Sequence, residues 1–198
     1  MIKIGVTGNI GSGKTTFAKL FENHNSYIFN ADKEAKNHLS KHSVLQKKII
    51  NIFGNHIITN NNLDFKKLAK IAFQNRKNQQ ILNGIIWPEV SILINNALRK
   101  AKNDDYDFFI VDAALLFEAN FNHFFDYIIL ITADEKICLK RALKRNNLDL
   151  SQIKKRMNLQ LSDKKKVKLS DYVILNDKSL NELELEFNKI LIKFISIK

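Results

Sequence analysis

One cysteine and one proline are all that the 198 residues hold. The lone Cys138 excludes an intramolecular disulfide framework and a cysteine-based zinc site. No apolar run approaches the roughly 18–20 residues that span a bilayer. The first residues, Met1 to Gly8, lack the apolar core and small-residue cleavage site of a signal peptide. A soluble cytoplasmic protein is the resulting expectation. There is no internal repeat and no flexible linker. Arginine is scarce as well, with five against 27 lysines and 24 asparagines. A coding sequence pushed toward A and T would give that bias. If lysine is the default cation, Arg76, Arg99, Arg141, Arg145 and Arg156 mark where a planar, bidentate fork matters, or they are simply scattered survivors. Acids are also in deficit, 20 against 32 basic residues, for a formal charge of +12. Such a charge suits nucleic acid, an anionic membrane surface or a polyphosphate ligand. What the chain does have is apolar content, at 45% hydrophobic residues. That excludes disorder throughout and is enough for one sizeable core with a small insert.

The apolar pattern changes period along the chain. Ile2, Ile4 and Val6 read as a short buried strand, followed by a glycine-rich turn and a helix from Thr15. Tyr27-Ile28-Phe29, Phe108 to Asp112, Tyr127 to Ile131 and Tyr172 to Leu175 read as further strands. Residues 33–53 and 64–102 are helical by period, with a turn or loop at 54–62 and Pro88 starting or kinking a helix. Residues 134–168 are helical and strongly charged, and Ser179 with Glu182 forms a capping box for a last helix. Strands alternating with helices predict an α/β fold, a parallel sheet covered on both faces. A helical insertion without strands interrupts it.

Gly8-Asn9-Ile10-Gly11-Ser12-Gly13-Lys14-Thr15 matches the phosphate-binding pattern G-x-x-x-x-G-K-[ST], and it lies between a strand and a helix. Glycines let the backbone curl so that successive N–H groups point at phosphate oxygens, and the helix start adds its positive end. Lys14 would reach the β- and γ-phosphates, Thr15 would offer its hydroxyl to Mg²⁺, and Thr16 completes the ATP contacts. Asp112, at the end of an apolar strand, stands where a second Mg²⁺-holding acid is expected, though a cap would read the same way. The ligand this implies is ATP with Mg²⁺. A guanine-reading N-K-x-D pattern is absent, which argues against a GTPase switch and leaves a small kinase. The five histidines show no metal-ligand spacing.

Five further segments resemble the dephospho-CoA kinase family. Asn30-Ala31-Asp32 is similar to its Asp-Ala-Asp, and Asp112 to Glu118 to its D-x-P-L-L-F-E segment. Arg141 to Arg145 and Arg156 to Gln160 resemble its lid motifs, and Ser170 to Asn176 its A-D-x-V-I-x-N strand. The resemblance implies a P-loop kinase core of the nucleoside-monophosphate-kinase type, made of residues 1–32, 104–134 and 169–198. It also implies a helical CoA-binding insertion at about 33–103 and a basic lid at about 135–168. The implied activity is ATP-dependent phosphorylation of the ribose 3′-hydroxyl of dephospho-CoA. The alternatives are a nucleoside or nucleoside-monophosphate kinase, or a basic nucleic-acid binder with a vestigial P-loop.

On this reading Asp32 is the general base, or the cap of the helix that follows it. Asn30, Trp87, Leu115 and Glu118 would meet the acceptor, although Trp87 also reads as core. Arg141, Arg145 and Arg156 would clamp phosphates, or form a solvated basic face. Asn176 would read the adenine edge, or sit in an ordinary loop. The chain departs from the family pattern at Asn30 (for Asp), Trp87 (for His), Ala114 (for Pro) and Phe65 (for Arg). All four lie on the acceptor side. Residues 136–168 hold twelve basic residues and two acids, so this segment carries +10 of the total +12. That favours small polyphosphate partners over nucleic acid or membrane, and a monomer is expected. Part of the lysine excess, Lys164-Lys165-Lys166 above all, reads as compositional drift.

Overall fold

A computed structural model describes residues 1–145 and 149–197, so the stretch 146–148 of the expected lid lies outside the described residues. The strands are β1 (Ile2–Thr7), β2 (Ser26–Asn30), β3 (Ile58–Thr59), β4 (Asn62–Leu63), β5 (Phe108–Asp112), β6 (Tyr127–Thr132) and β7 (Tyr172–Leu175). The helices are α1 (Lys14–Lys19), α2 (Ala31–Lys41), α3 (Ser43–Phe53), α4 (Phe65–Ala72), α5 (Arg76–Asn103), α6 (Glu135–Arg145), α7 (Leu150–Asn158), α8 (Asp163–Val167) and α9 (Leu180–Ile197).

Five strands form one sheet in the order β2-β5-β1-β6-β7, all parallel. Both faces are covered, as the near-continuous apolar strands require. In β5 the alternation is visible residue by residue. Phe108 and Ile110 join Phe17, Phe21 and Phe187 on the side of α1 and α9, while Phe109 and Val111 join Val90 and Ile94 of α5 on the other. A third cluster, of Leu39, Leu45, Ile49, Phe53, Ile57, Leu63 and Leu68, gives the insertion a core of its own. Ile85 links that core to α5.

Three expectations need correction. The insertion does contain strands, because Asn60 and Asn61 both adopt positive φ (50° and 62°) and close the two-residue hairpin β3–β4. Asparagine tolerates that backbone, which is why the run turns the chain rather than loosening it. Pro88 lies inside the continuous α5 and starts no helix. And α5 is long and apolar enough, by length and composition, to cross a bilayer, with a mean hydropathy of 1.2 over its most apolar stretch. Its Val90, Ile94, Ala97 and Ala101 are nevertheless buried against the sheet.

Candidate active site

The site lies at the C-terminal ends of the parallel strands, beside β1, where the connections diverge to opposite sides of the sheet. The loop from Gly8 to Gly13 leaves β1 and opens α1. Gly11 takes φ 81°, and a Cβ there would overlap the carbonyl of Cys138. Gly13 takes φ 101° at the start of α1, against the Asn176 amide. Both conformations favour glycine.

Strand register brings the polar residues together. Asn30 and Asp112 are direct partners across β2 and β5, and Val6 faces Asp112 from β1. Asp112 is 1% exposed. Its Oδ2 accepts hydrogen bonds from the Thr15 hydroxyl and from Asn30 Nδ2, each at 2.6 Å. Its Oδ1 lies 3.8 Å from Lys14 Nζ and accepts no hydrogen bond. Lys14 Nζ is also 3.8 Å from Asp32 Oδ2, so one ammonium sits between two carboxylates. Asn30 Oδ1 accepts from the Lys33 backbone N–H, so Asn30 is the side chain that caps α2. Asp32 stands in the first turn with its side chain 63% exposed. Crowding by protein, countered by Lys14 and reinforced by Asp112, raises its pKa above the usual aspartate value. Its exposure means solvent screens part of that shift.

A cleft of about 320 Å³ adjoins this cluster, lined by Thr15, Lys19, Ile28, Asn30, Lys33 and Asp112 among others. Among the described residues, the buried side-chain oxygens without a hydrogen-bond partner are Thr7 Oγ1, Ser12 Oγ, Asp112 Oδ1 and Glu118 Oε2. The first three are on or beside the phosphate loop, which is what a site built for a polar ligand shows, and Glu118 is linked to it through Lys166.

The arginines of the expected lid are less gathered. Arg145 Nη2 lies 3.4 Å from the Thr16 hydroxyl, at the loop. Arg141 Nη1 donates to the Asn176 carbonyl at 2.7 Å. Arg156 stacks over the Phe73 ring at 4.6 Å, joining α7 to the insertion at the end of α4. Burial lowers its pKa from the usual guanidinium value. The three arginines do not converge in this arrangement. Asn176 Nδ2 donates to the Ser12 carbonyl at 2.8 Å, so its amide supports the phosphate loop. Glu118 Oε1 accepts from the Leu161 backbone N–H at 2.7 Å and faces Lys166 Nζ at 3.6 Å. Leu115 and Trp87 are half-buried, Trp87 on α5.

Sequence reasoning gave Asp163 and Lys166 no place in the site and quoted Gln160 only as the end of a lid motif, yet all three meet the loop from the far end of the expected lid. Gln160 Oε1 accepts from the Ile10 backbone N–H at 3.1 Å. Asp163 accepts from Asn9 Nδ2 and from the Thr132 hydroxyl. Lys166 donates to Asn9 Oδ1. The available signal was an acid inside a basic run, and it does not say which neighbour the acid meets.

The family model described as dephospho-CoA kinase matches residues 2–182. A dephospho-CoA kinase of Fusobacterium nucleatum is 38% identical over 91% of this chain and 92% of its own length. The solved dephospho-CoA kinase from Campylobacter jejuni superposes with a TM-score of 0.68 at 26% identity, covering 96% of each chain. The Thermus thermophilus structure of TT1252 gives a TM-score of 0.81 at 25% identity over 97% of each chain.

Proposed function

This chain belongs to the dephospho-CoA kinase family, and we propose that its phosphoryl transfer takes place between Lys14, Asp32 and Asp112. It uses ATP to phosphorylate dephospho-CoA, giving coenzyme A. The observation that carries the assignment of roles is the placement of Lys14 between an exposed and a buried carboxylate.

The backbone N–H groups of Gly11 to Thr15 hold the ATP phosphates, and Lys14 reaches the β- and γ-phosphates. Asp32 does not cap its helix, so its carboxylate is available to the attacking ribose 3′-hydroxyl. As the hydroxyl oxygen bonds to the γ-phosphorus, Asp32 takes its proton and ADP departs. Phosphoryl transfer depends chiefly on positioning and charge stabilisation, so Asp32 acts as much by orienting the hydroxyl as by basicity. Arg141 and Arg145 flank the loop and spread the charge of the transferring group. Arg156 joins them by leaving Phe73.

Thr15 and Asp112 fit Mg²⁺. Both offer oxygen, the ligand this ion prefers, and Asp112 Oδ1 is buried without a hydrogen-bond donor. When bound, the ion neutralises charge on the β- and γ-phosphate oxygens. Asn30 steadies the other Asp112 oxygen and, unlike an aspartate there, brings no charge of its own. Trp87, Leu115 and Glu118 belong to the acceptor side on this reading, Glu118 by tying the 114–118 loop to Leu161 and Lys166. The insertion at about 33–103 would hold dephospho-CoA and the segment at about 135–168 would serve as lid. A monomer in the cytoplasm, with small-molecule partners only, completes the proposal.

The test is ADP release under Mg-ATP with dephospho-CoA, against a panel of nucleosides and nucleoside monophosphates. Turnover with dephospho-CoA that is lost in Lys14→Ala is expected. Turnover in Lys14→Ala equal to the unsubstituted chain would remove the phosphate-loop assignment.

A further inference from the structure

Three lysines stand in a row at 164–166, and they differ completely in environment. Lys164 and Lys165 are exposed, while Lys166 is 0% exposed. Its ammonium donates to Asn9 Oδ1 at 2.9 Å and to the Ala114 carbonyl at 3.2 Å, and it lies 3.6 Å from Glu118 Oε1. A buried lysine is expensive unless it is paired and hydrogen-bonded, and here every contact leads to a segment of the site. Burial lowers its pKa, Glu118 and Asp163 oppose that shift, and the charge of Lys14 is close enough to be felt.

Asn9 is the hub. Its oxygen faces a cation and its amide nitrogen donates to Asp163 Oδ1 at 2.6 Å, so only one orientation of the amide satisfies both partners. Asp163 is held in turn by the Thr132 hydroxyl at the end of β6. The next loop residue, Ile10, gives its N–H to Gln160. The first half of the phosphate loop is therefore shaped by α8 and the turn before it.

We propose that Lys166 is a positioning residue for phosphoryl transfer: from α8 it holds Asn9 of the phosphate loop and the Ala114–Glu118 loop in one arrangement, setting the shape of the ATP cradle. This rests on the phosphate loop being the ATP site.

The experiment measures KM for ATP, KM for dephospho-CoA and kcat in Lys166→Met, Lys166→Arg, Asn9→Ala and the Lys166→Met/Asn9→Ala double variant. Misplaced binding groups cost rate steeply, so KM for ATP should rise on the order of tenfold in Lys166→Met. Because Lys166 also holds the Ala114–Glu118 loop, KM for dephospho-CoA should rise as well in Lys166→Met but stay within about twofold in Asn9→Ala. Lys166→Arg should recover part of the loss, and for KM of ATP the double variant should be no worse than the poorer single one. If Lys166→Met does not fold, Asn9→Ala alone must show a rise in KM for ATP without one for dephospho-CoA. A lower melting temperature with unchanged KM for ATP, or additive losses in the double variant, overturns the proposal. Lys14→Ala serves as control. If it loses turnover while Lys166→Met keeps its KM for ATP, only the Lys166 inference fails. If it keeps turnover, the ATP-site reading fails first.

Discussion

Asp32 shows how one side chain can trade stability for chemistry. Its carboxylate shares Lys14 with Asp112, and its pKa is raised in the folded chain. A raised carboxylate pKa means the folded state disfavours the charged form. The penalty is therefore present above the unfolded pKa and vanishes as pH falls below it. Asp32→Asn should thus melt slightly higher at pH 7, with the gain disappearing at acid pH, while kcat falls by about 10²-fold or more. Calorimetry across pH together with steady-state rates checks both halves, and an unchanged kcat would remove Asp32 from the chemistry. Cys138 illustrates the opposite, an inert group. Burial and nearby acids push its thiol up to about 11, so almost no thiolate exists near pH 7–8. Native protein should resist iodoacetamide, and denatured protein should label quickly.

At the scale of elements, caps and contacts decide which segments hold. Asp64 starts α4 by accepting the Lys66 and Lys67 N–H groups, and its Oδ2 accepts from the Thr59 hydroxyl of the hairpin. The Lys67 hydrogen bond is the main cause that lowers its pKa. A lowered carboxylate pKa gives stability above the unfolded pKa that is lost as pH falls through the folded one. Asp64→Ala should lower the melting temperature at pH 7, and the gap from the unsubstituted chain should narrow as pH falls through the ordinary aspartate range and below it. The Arg156–Phe73 stack joins α7 to the insertion. Phe73→Ala should speed amide hydrogen exchange in α7 without changing exchange in β1 or β5, since a cation–π contact contributes about 0.5–2 kcal/mol. Uniform exchange across the chain would show that the stack does not hold the lid.

Over the whole molecule, charge and topology meet at the C-terminal ends of the strands, around the central β1. The segment 136–168, with twelve basic residues, faces the phosphate loop through Arg145 and Lys166. Exposed cations are screened by salt, so KM for ATP should climb with ionic strength more than KM for an uncharged acceptor analogue. How much of this was legible beforehand depended on distance along the chain. The eight residues from Gly8 to Thr15 form a contiguous motif, and the strand ends at Thr7, Asn30 and Asp112 follow from local apolar periods. The hairpin at Asn60-Asn61 was missed because its strands are two residues each, too short for any period to register. Sequence separates Asn9 from Asp163 by 154 residues and from Lys166 by 157, and no local pattern reports such a pairing.

The sequence by itself determined the phosphate loop, the parallel sheet and the family, because each is written in neighbouring residues whose backbone preferences are local. Only the tertiary structure decided which of three consecutive lysines matters. Helix phase turns Lys166 inward and leaves Lys164 and Lys165 in water, and the inward position lies against Asn9, Ala114 and Glu118. Likewise Asn30, rather than Asp32, caps α2 because strand register sets it opposite Asp112. Burial and register are properties of packed elements, so the partners of a charged side chain emerge only when those elements meet.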